Sequence, residues 1–266
     1  MAALGLGACA LFPSLGDLPA DGGGRDDVVG APDARSDGGQ PADSGLGSDA
    51  EGGMDAMMGM DAPPLDTGTD SGIPIQFVQI NYVFCGNKTS CAAPFTNPVS
   101  AGNAILVVVS AWKNQSVTLT DTKMSTYKIV VGPADDPSYR NVIGAAFGVA
   151  GGANTVTATA ASNTDHFMWV AEYRGLFAFD VGTFAIGNGV NASSGNLTTT
   201  QSNELLFGYA GYWVGGSVAP SFTARSVTGF GVVQDRLVPE AGTYVMTGVQ
   251  NSSSNWAFPL GAFKGQ

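Results

Sequence analysis

The sequence predicts an all-β domain, an antiparallel two-sheet sandwich that is jelly-roll-like, preceded by a disordered acidic tether. From residue 75 onward, short runs rich in Val, Thr and aromatic residues are separated by Gly, Asn, Ser and Pro, which is typical of sandwich and barrel strands. No run keeps the period of an amphipathic helix. The runs are IQFVQINYVF, NAILVVVSAW, SVTLT, TYKIVV, NVIGAAFGVA, NTVTATA, HFMWVAEYRG, NELLFGYAGYW, SFTARSV, FGVVQDR, TYVMTGV and NWAFPLGAFK.

One of these runs shows the alternation of a strand most clearly. Val156, Ala158 and Ala160 fall on one face, and the threonines beside them fall on the other. The stretch after residue 74 is about 190 residues long, which is enough for one substantial hydrophobic core.

The predicted domain also contains a weak internal repeat. The run GNAILVVVSAW parallels SNELLFGYAGYW, and GGANTVTATAASNTDHFMWVAEYRG parallels AGTYVMTGVQNSSSNWAFPLGAFKG. Two similar halves predict two pseudo-equivalent layers that pack face to face. Two independent small domains are the less favoured alternative, because no linker separates the halves.

Charge is distributed unevenly along the 266 residues. Residues 1–73 contain 13 of the 22 acidic residues and, among the bases, only Arg25 and Arg35, so this tract accounts for the whole formal charge of −11. Residues 74–266 carry equal numbers of acids and bases. An acidic tract beside a neutral body gives no reason to expect a nucleic-acid partner.

These compositions divide the chain into three parts. Residues 21–73 are dominated by Asp, Gly, Ala, Ser and Pro, so they cannot bury enough apolar surface to fold and are predicted to be a disordered linker. Residues 74–266 are predicted to form the β-sandwich domain. Residues 1–20, which contain Leu6-Gly7-Ala8-Cys9, are interpreted as a partial lipoprotein signal and lipobox.

The residues Leu6-Gly7-Ala8-Cys9 resemble the lipobox of bacterial lipoproteins, in which small residues precede a cysteine that receives diacylglycerol. The resemblance implies lipidation of Cys9, export, and attachment through the lipid to the membrane of the bacterial cell envelope, at the outer membrane or cell surface. A signal peptide needs a basic region and about 7–15 apolar residues. Only eight residues precede Cys9 and none is basic, so the resemblance requires a start codon upstream of Met1. The alternative is a buried cysteine in a truncated leader.

The other two cysteines are predicted to form a disulfide. Cys85 and Cys91 bracket five residues of turn-forming type between two strand-like runs, which suits a small closed loop in an oxidising compartment. Two free thiols are the alternative. A metal site would need further ligands, and the only histidine, His166, lies far along the chain, so we expect no metal and no cofactor.

Several of the runs together resemble a β-sandwich module of secreted and surface-attached bacterial proteins, often found beside adhesive domains. The runs that carry the resemblance are GNAILVVVSAW, GGANTVTATA, VAEYRGL, LTTTQSNELLFGYA and GAFK. The resemblance implies location and architecture, and it brings no catalytic residue with it.

The domain is not expected to be an enzyme. No G-x-S-x-G motif accompanies His166, which is predicted to be a surface strand residue. Glu172 shares a strand face with Arg174 and is predicted to form an exposed ion pair. A glycosidase site needs two carboxylates that face one cleft. None of the glutamates of the domain has a second acid two residues away on the same strand face.

The sequence thus favours a non-catalytic envelope lipoprotein with an adhesive or glycan-binding sandwich, whose partner is a glycan or a surface protein. A purely structural envelope protein and a glycan-active hydrolase are the alternatives. The candidate ligand-binding residues are Tyr212 and Trp213, at the end of the run NELLFGYAGYW. Strand alternation predicts that Tyr212 points outward beside Gly208 and Ala210, as a platform for a sugar ring, and that Trp213 continues the core face. The alternative is that both rings pack inside the domain.

Overall fold

The structure, a computed structural model, describes residues 72–266. These residues form thirteen strands, and no helix occurs among them, which confirms the all-β prediction. The strands are β1 Gln76–Pro94, β2 Ala104–Trp112, β3 Val117–Asp121, β4 Lys128–Asp135, β5 Tyr139–Ala146, β6 Thr155–Arg174, β7 Leu176–Ser193, β8 Leu197–Thr198, β9 Glu204–Tyr212, β10 Thr223–Thr228, β11 Gly231–Val238, β12 Thr243–Tyr244 and β13 Thr247–Gly265.

The strands form two main antiparallel sheets with the same internal order. The first sheet runs β1-β6-β2-β5-β4, with β3 paired to β6. The second runs β7-β13-β9-β11-β10. The first pair of repeated runs forms β2 and β9, and the second pair forms β6 and β13. The two members of each pair occupy equivalent positions in the two sheets. The internal repeat therefore corresponds to two sheets with the same order of five strands, and the two equivalent layers predicted from the sequence are present.

The hydrophobic core lies between the two sheets. The first sheet contributes Leu106, Val108 and Trp169, and the second contributes Phe207 and Phe263, among others. The rings of Trp169 and Tyr209 meet across the gap at 5.0 Å between centroids. Face-to-face packing of this kind confirms the two-sheet sandwich.

A buried polar link also joins the sheets. The Tyr173 hydroxyl on β6 donates to Oδ2 of Asp235 on β11 at 2.6 Å. Arg225 Nε donates to the same oxygen at 2.8 Å, and its guanidinium lies 4.3 Å from the centre of the Phe77 ring. Burial raises the pKa of Tyr173 well above its usual range, so the phenol remains a neutral donor.

The outer face of each sheet is covered by the chain itself. On the first sheet, Val107 and Met168 pack with residues such as Val99 from the loop before β2. On the second, Leu206 packs with Phe222 and Met246, which lie outside the main strands. The domain therefore has apolar layers on both outer faces as well as between the sheets.

Two predictions about β6 are wrong because of this covering. His166 and Glu172 both lie on the outer face of the first sheet and are fully buried. His166 Nε2 lies 3.0 Å from the Lys88 carbonyl oxygen, and burial lowers the pKa of the ring. Glu172 forms no exposed ion pair with Arg174. It accepts hydrogen bonds from the loop that covers the sheet.

The predicted Cys85–Cys91 disulfide is present, with the two sulfurs 2.08 Å apart. The five residues between the cysteines do not reverse the chain. They form an irregular, bulged part of β1, where the register with β6 shifts on both sides of Lys88. The disulfide therefore closes a bulge within one long strand.

Two strands were missed by the sequence analysis, the long strand β7 and the two-residue strand β8. β7 follows β6 after a single residue, Gly175, whose φ of +78° lies in the left-handed region. A side chain at Gly175 would meet the Pro74 carbonyl oxygen at 2.5 Å, so glycine is needed at this joint between the halves.

Candidate functional site

Two tryptophans emerge between the sheets at one end of the sandwich. Trp112 is the last residue of β2, and Trp213 directly follows β9. β2 and β9 are equivalent strands of the two halves, so the duplication brings both rings to the same end. Because each ring lies where its strand ends, it extends beyond the core, and Trp112 is 45% exposed and Trp213 39% exposed.

Tyr139 connects the two tryptophans. Its ring stacks on Trp112 with centroids 5.1 Å apart and planes 22° apart, and it lies 5.6 Å from Trp213. Phe167 meets the edge of Tyr139 at 5.6 Å and contacts Phe230, in the turn after β10, at 4.5 Å. We call the surface formed by these five rings the aromatic cleft.

Polar groups lie beneath these rings. Ser110, Asp136, Asn141 and Tyr209 line the cleft. Asp136 Oδ1 accepts the backbone N–H groups of Ser138 and Tyr139, both at 2.8 Å. Within the described residues, Oδ2 of Asp136 has one contact, with Asn141 Nδ2 at 3.5 Å, the outer limit of a hydrogen bond. This oxygen can therefore accept a hydrogen bond from a ligand.

The phenols of the cleft stay protonated. Burial raises the pKa of Tyr209 far above its usual range, and its hydroxyl donates to the Phe230 carbonyl oxygen at 3.0 Å, which fixes the turn that carries the Phe230 ring. Burial also raises the pKa of Tyr139, with a smaller effect from Asp165 and Asp136. The Tyr209 and Tyr139 phenols therefore stay neutral near neutral pH.

The cavity within the cleft has a volume of about 60 Å³. Sites that enclose a drug-sized ligand have volumes of about 300–1,000 Å³. A ligand would therefore rest on the rings of the aromatic cleft and insert only a small group beneath them.

Tyr212 does not form the exposed platform that strand alternation predicts. The ring lies on the outer face of the second sheet, as predicted, but it is only 2% exposed because the segment after β9 covers that face. Its hydroxyl donates to the Ser217 carbonyl oxygen at 2.9 Å, and its ring packs on Phe258. Burial raises the pKa of Tyr212 to about 12. Tyr212 belongs to an apolar layer.

Trp213 lies on the predicted face, but it marks the end of the core rather than its continuation. Sequence reasoning missed its neighbours in the cleft, Trp112, Tyr139 and Phe230. The repeat contained a usable signal, because its two apolar strands both end in tryptophan. Cys9 lies outside the described residues.

A wider groove of about 490 Å³ lies on the outer face of the second sheet. Its lining includes Val218, Val249 and Trp256 and no charged residue. It lacks the cluster of exposed rings found in the aromatic cleft. Within residues 72–266, no group of three or more His, Cys, Asp or Glu side chains is arranged to hold a metal ion.

Comparison with family models, curated proteins and solved structures gave no match for this chain. The aromatic cleft is therefore interpreted from its own geometry. Residues 72–266 contain no helix long and apolar enough to cross a membrane.

Proposed function

We propose that the chain is a non-catalytic cell-envelope lipoprotein whose sandwich binds a glycan at the aromatic cleft. The observation that carries this proposal is a group of exposed and half-buried rings, supplied by both sheets, above an acid with a free acceptor position. Trp112 and Tyr139 come from the first sheet, and Trp213 and Phe230 come from the second.

The chemistry of the aromatic cleft suits a neutral sugar. The C–H faces of a sugar ring are apolar and stack on aromatic faces, while its hydroxyl groups need fixed polar partners. Asp136 and Asn141 supply such partners next to the rings. The equal numbers of acids and bases in residues 74–266 also favour an uncharged ligand.

Binding is favoured over hydrolysis because one carboxylate, Asp136, lines the cleft. Glycoside hydrolysis ordinarily uses two carboxylates that flank the bond to be cut. The acid pair that the fold does assemble, Asp180 and Glu204, lies on the outer face of the second sheet.

The first prediction tests the cleft. A glycan array should identify a sugar that the wild-type protein binds, and Trp213→Ala or Trp112→Ala should weaken that binding by at least about tenfold, through the loss of a stacking surface. Phe184→Ala is the matched control, because Phe184 is an aromatic residue of similar exposure on β7. The proposal is refuted if the wild type binds no glycan, or if the two tryptophan variants, still folded, bind as tightly as the wild type.

The second prediction concerns the anchor. The sequence Leu6–Cys9 and the acidic linker after it support lipidation. A protein expressed in a bacterium with the coding sequence that precedes Met1 should incorporate labelled fatty acid, and Cys9→Ser should abolish the label. The matched control is Cys85→Ser, which should keep it. A wild-type protein exported without label would disprove the anchor.

A further inference from the structure

Three charged side chains meet on neighbouring strands of the second sheet. Lys264 on β13 lies between Asp180 on β7 and Glu204 on β9. Lys264 Nζ is 3.0 Å from Asp180 Oδ1. Glu204 is the direct register partner of Lys264 across β9 and β13, so the two side chains share a face. We call these residues the lysine cluster.

A β-bulge directs Asp180 toward the lysine. Phe179 pairs with Phe263 and Gly182 pairs with Gly261, so two residues of β7, Asp180 and Val181, oppose a single residue of β13. A bulge of this kind turns a side chain out of the regular alternation of the strand.

The fold itself does not require charges at this position. The first half has the same kind of bulge at Val78, between the pairs Phe77–Tyr173 and Gln79–Glu172. By the same register, the position equivalent to Lys264 holds Arg174, which pairs with Gln76 at the exposed end of β6. The lysine cluster is therefore a property of the second half alone.

The acids of the cluster are removed from water. The Asp180 side chain is 3% exposed and Glu204 is 0% exposed, while the Lys264 side chain is 25% exposed. Neither carboxyl oxygen of Glu204 has a hydrogen-bond partner of ordinary geometry among residues 72–266. Burial, with a smaller effect from the Asp180 charge, raises the pKa of Glu204 to about 7. A protonated Glu204 can donate to Asp180.

Thr200 holds the Asp180 carboxylate in place from above. Its backbone N–H donates to Oδ2 at 2.8 Å, and its hydroxyl donates to Oδ1. Lys264 Nζ in turn donates to the Thr200 hydroxyl oxygen at 3.2 Å. The nitrogen and the carboxyl group are therefore both fixed, and a backbone donor points at the oxygen on which negative charge would develop during attack at Cγ.

We propose that Lys264 and Asp180 condense after folding to form an intramolecular amide bond, with Glu204 as the group that transfers protons. The proposal is independent of glycan binding and of lipidation. It assigns to the lysine cluster a covalent link between β7 and β13.

The reaction balances without any co-reactant. Lys264 passes a proton to Asp180 and becomes a neutral amine, whose lone pair attacks Cγ to form the Nζ–Cγ bond. The Oδ1–Cγ bond then breaks, and the oxygen leaves as water. Two of the three ammonium protons end on that water and one stays on the amide nitrogen. Glu204 gives a proton to the departing oxygen and regains one from Nζ, so it is unchanged, and nothing is oxidised or reduced.

Burial and fixed geometry explain why this pair could react. Groups held in a fixed reactive geometry behave as if their effective concentration were about 10⁵–10⁸ M. A buried ion pair also carries a desolvation cost that its conversion to a neutral amide removes. The other ion pairs of the domain, Arg140–Asp135 and Arg225–Asp235, contain arginine, whose guanidinium is not a nucleophile at ordinary pH.

Mass spectrometry of the folded, full-length protein tests the proposal directly. After reduction of the disulfide, the mass should be about 18 Da below the value calculated from the sequence, the loss of one water. Trypsin should leave Lys264 uncut and release residues 175–225 joined to residues 237–266. The mapping is needed because Asp-Gly sequences in the linker, such as Asp21-Gly22, can also lose water.

Variants assign the roles. Lys264→Arg keeps the positive charge but removes the amine, so the joined peptide should disappear. Glu204→Gln should reduce the joined fraction at least about tenfold in material of the same age. Lys128→Arg, on β4, is the control and should leave the joined peptide unchanged.

Two results would overturn the amide bond: a wild-type protein at its full calculated mass, or a separate tryptic peptide that ends at Lys264. A joined peptide that persists in Lys264→Arg would also overturn it. Unchanged bond formation in folded Glu204→Gln would overturn the role of Glu204. The mass and the tryptic map of the wild-type protein test the amide bond without any variant. A variant that fails to fold therefore leaves this test intact.

Discussion

Replacing Glu172 with alanine should lower the free energy of unfolding by about 3–5 kcal/mol, because three hydrogen-bond donors, one of them on the buried Asn103 side chain, lose their shared acceptor. Glu172 Oε1 accepts from the Ser100 backbone N–H at 2.8 Å and from Asn103 Nδ2 at 2.6 Å. Oε2 accepts from Gln79 Nε2 at 2.6 Å. The Glu172 side chain is itself fully buried.

The loss should extend beyond the three bonds. Gln79 also exchanges hydrogen bonds with the backbone of Asn97, so Glu172 and Gln79 together hold the loop between β1 and β2. That loop carries Phe95 and Val99 onto the outer face of the first sheet. When the loop loosens, these apolar contacts weaken as well.

Urea denaturation measures the effect. Glu172→Gln keeps the shape of the side chain and one acceptor oxygen, but its amide N–H₂ faces another donor. We therefore expect a smaller decrease in the free energy of unfolding, about 1–3 kcal/mol. Glu240→Ala is the matched control at an exposed glutamate and should stay within about 0.5 kcal/mol of the wild type. If Glu172→Ala unfolded at the wild-type urea concentration, the hydrogen bonds would have no net stabilising role.

Much of the fold could be predicted from the sequence because strand periodicity is local. The burial of Val156, Ala158 and Ala160 follows the predicted alternation. Tertiary structure decides where a strand ends: the runs NTVTATA and HFMWVAEYRG join in the single strand β6. β7 was missed because glycines interrupt its apolar residues and because one edge of the strand lacks a partner in its sheet.

The wrong predictions about His166, Glu172 and Tyr212 have a common cause. All three lie on outer sheet faces, which a two-layer sandwich exposes to water. In this domain, loops and strand extensions cover both outer faces, and the residues become buried. Such covering depends on contacts between segments distant in sequence, which alternation along one strand cannot reveal.

The candidate sites differ in how far the sequence reveals them. Trp112 and Trp213 could be paired through the repeat, since equivalent strand ends lie at equivalent places. The lysine cluster could not be predicted from the sequence, because it depends on the register of three strands and on the bulge at Asp180. The duplication thus provides two similar sheets, and residues present in only one half give the second sheet its separate chemistry.

Replacing Trp169 with alanine should also lower the free energy of unfolding by about 3–5 kcal/mol, because it empties the centre of the sandwich. The indole is fully buried, and its ring lies 4.8 Å from the ring of Tyr82 and 5.0 Å from the ring of Tyr209 in the opposite sheet. Its Nε1–H donates to Ser226 Oγ of the second sheet at 3.2 Å. The substitution therefore removes packing and a hydrogen bond between the sheets together.

Trp112→Ala is the matched control for this loss, because Trp112 lies on β2, the strand beside β6, and is 45% exposed. It should cost clearly less than Trp169→Ala, about 1–2 kcal/mol, because nearly half of the Trp112 surface stays in water in the folded domain. Trp169→Phe keeps most of the ring volume but leaves Ser226 without its donor, so a cost of about 1–2 kcal/mol is expected for it as well. Thermal and urea denaturation should show Trp169→Ala as the most destabilising of the three variants. If Trp112→Ala destabilised the domain as much as Trp169→Ala, the aromatic cleft would be a part of the core rather than a binding surface, and its role in glycan binding would have to be abandoned.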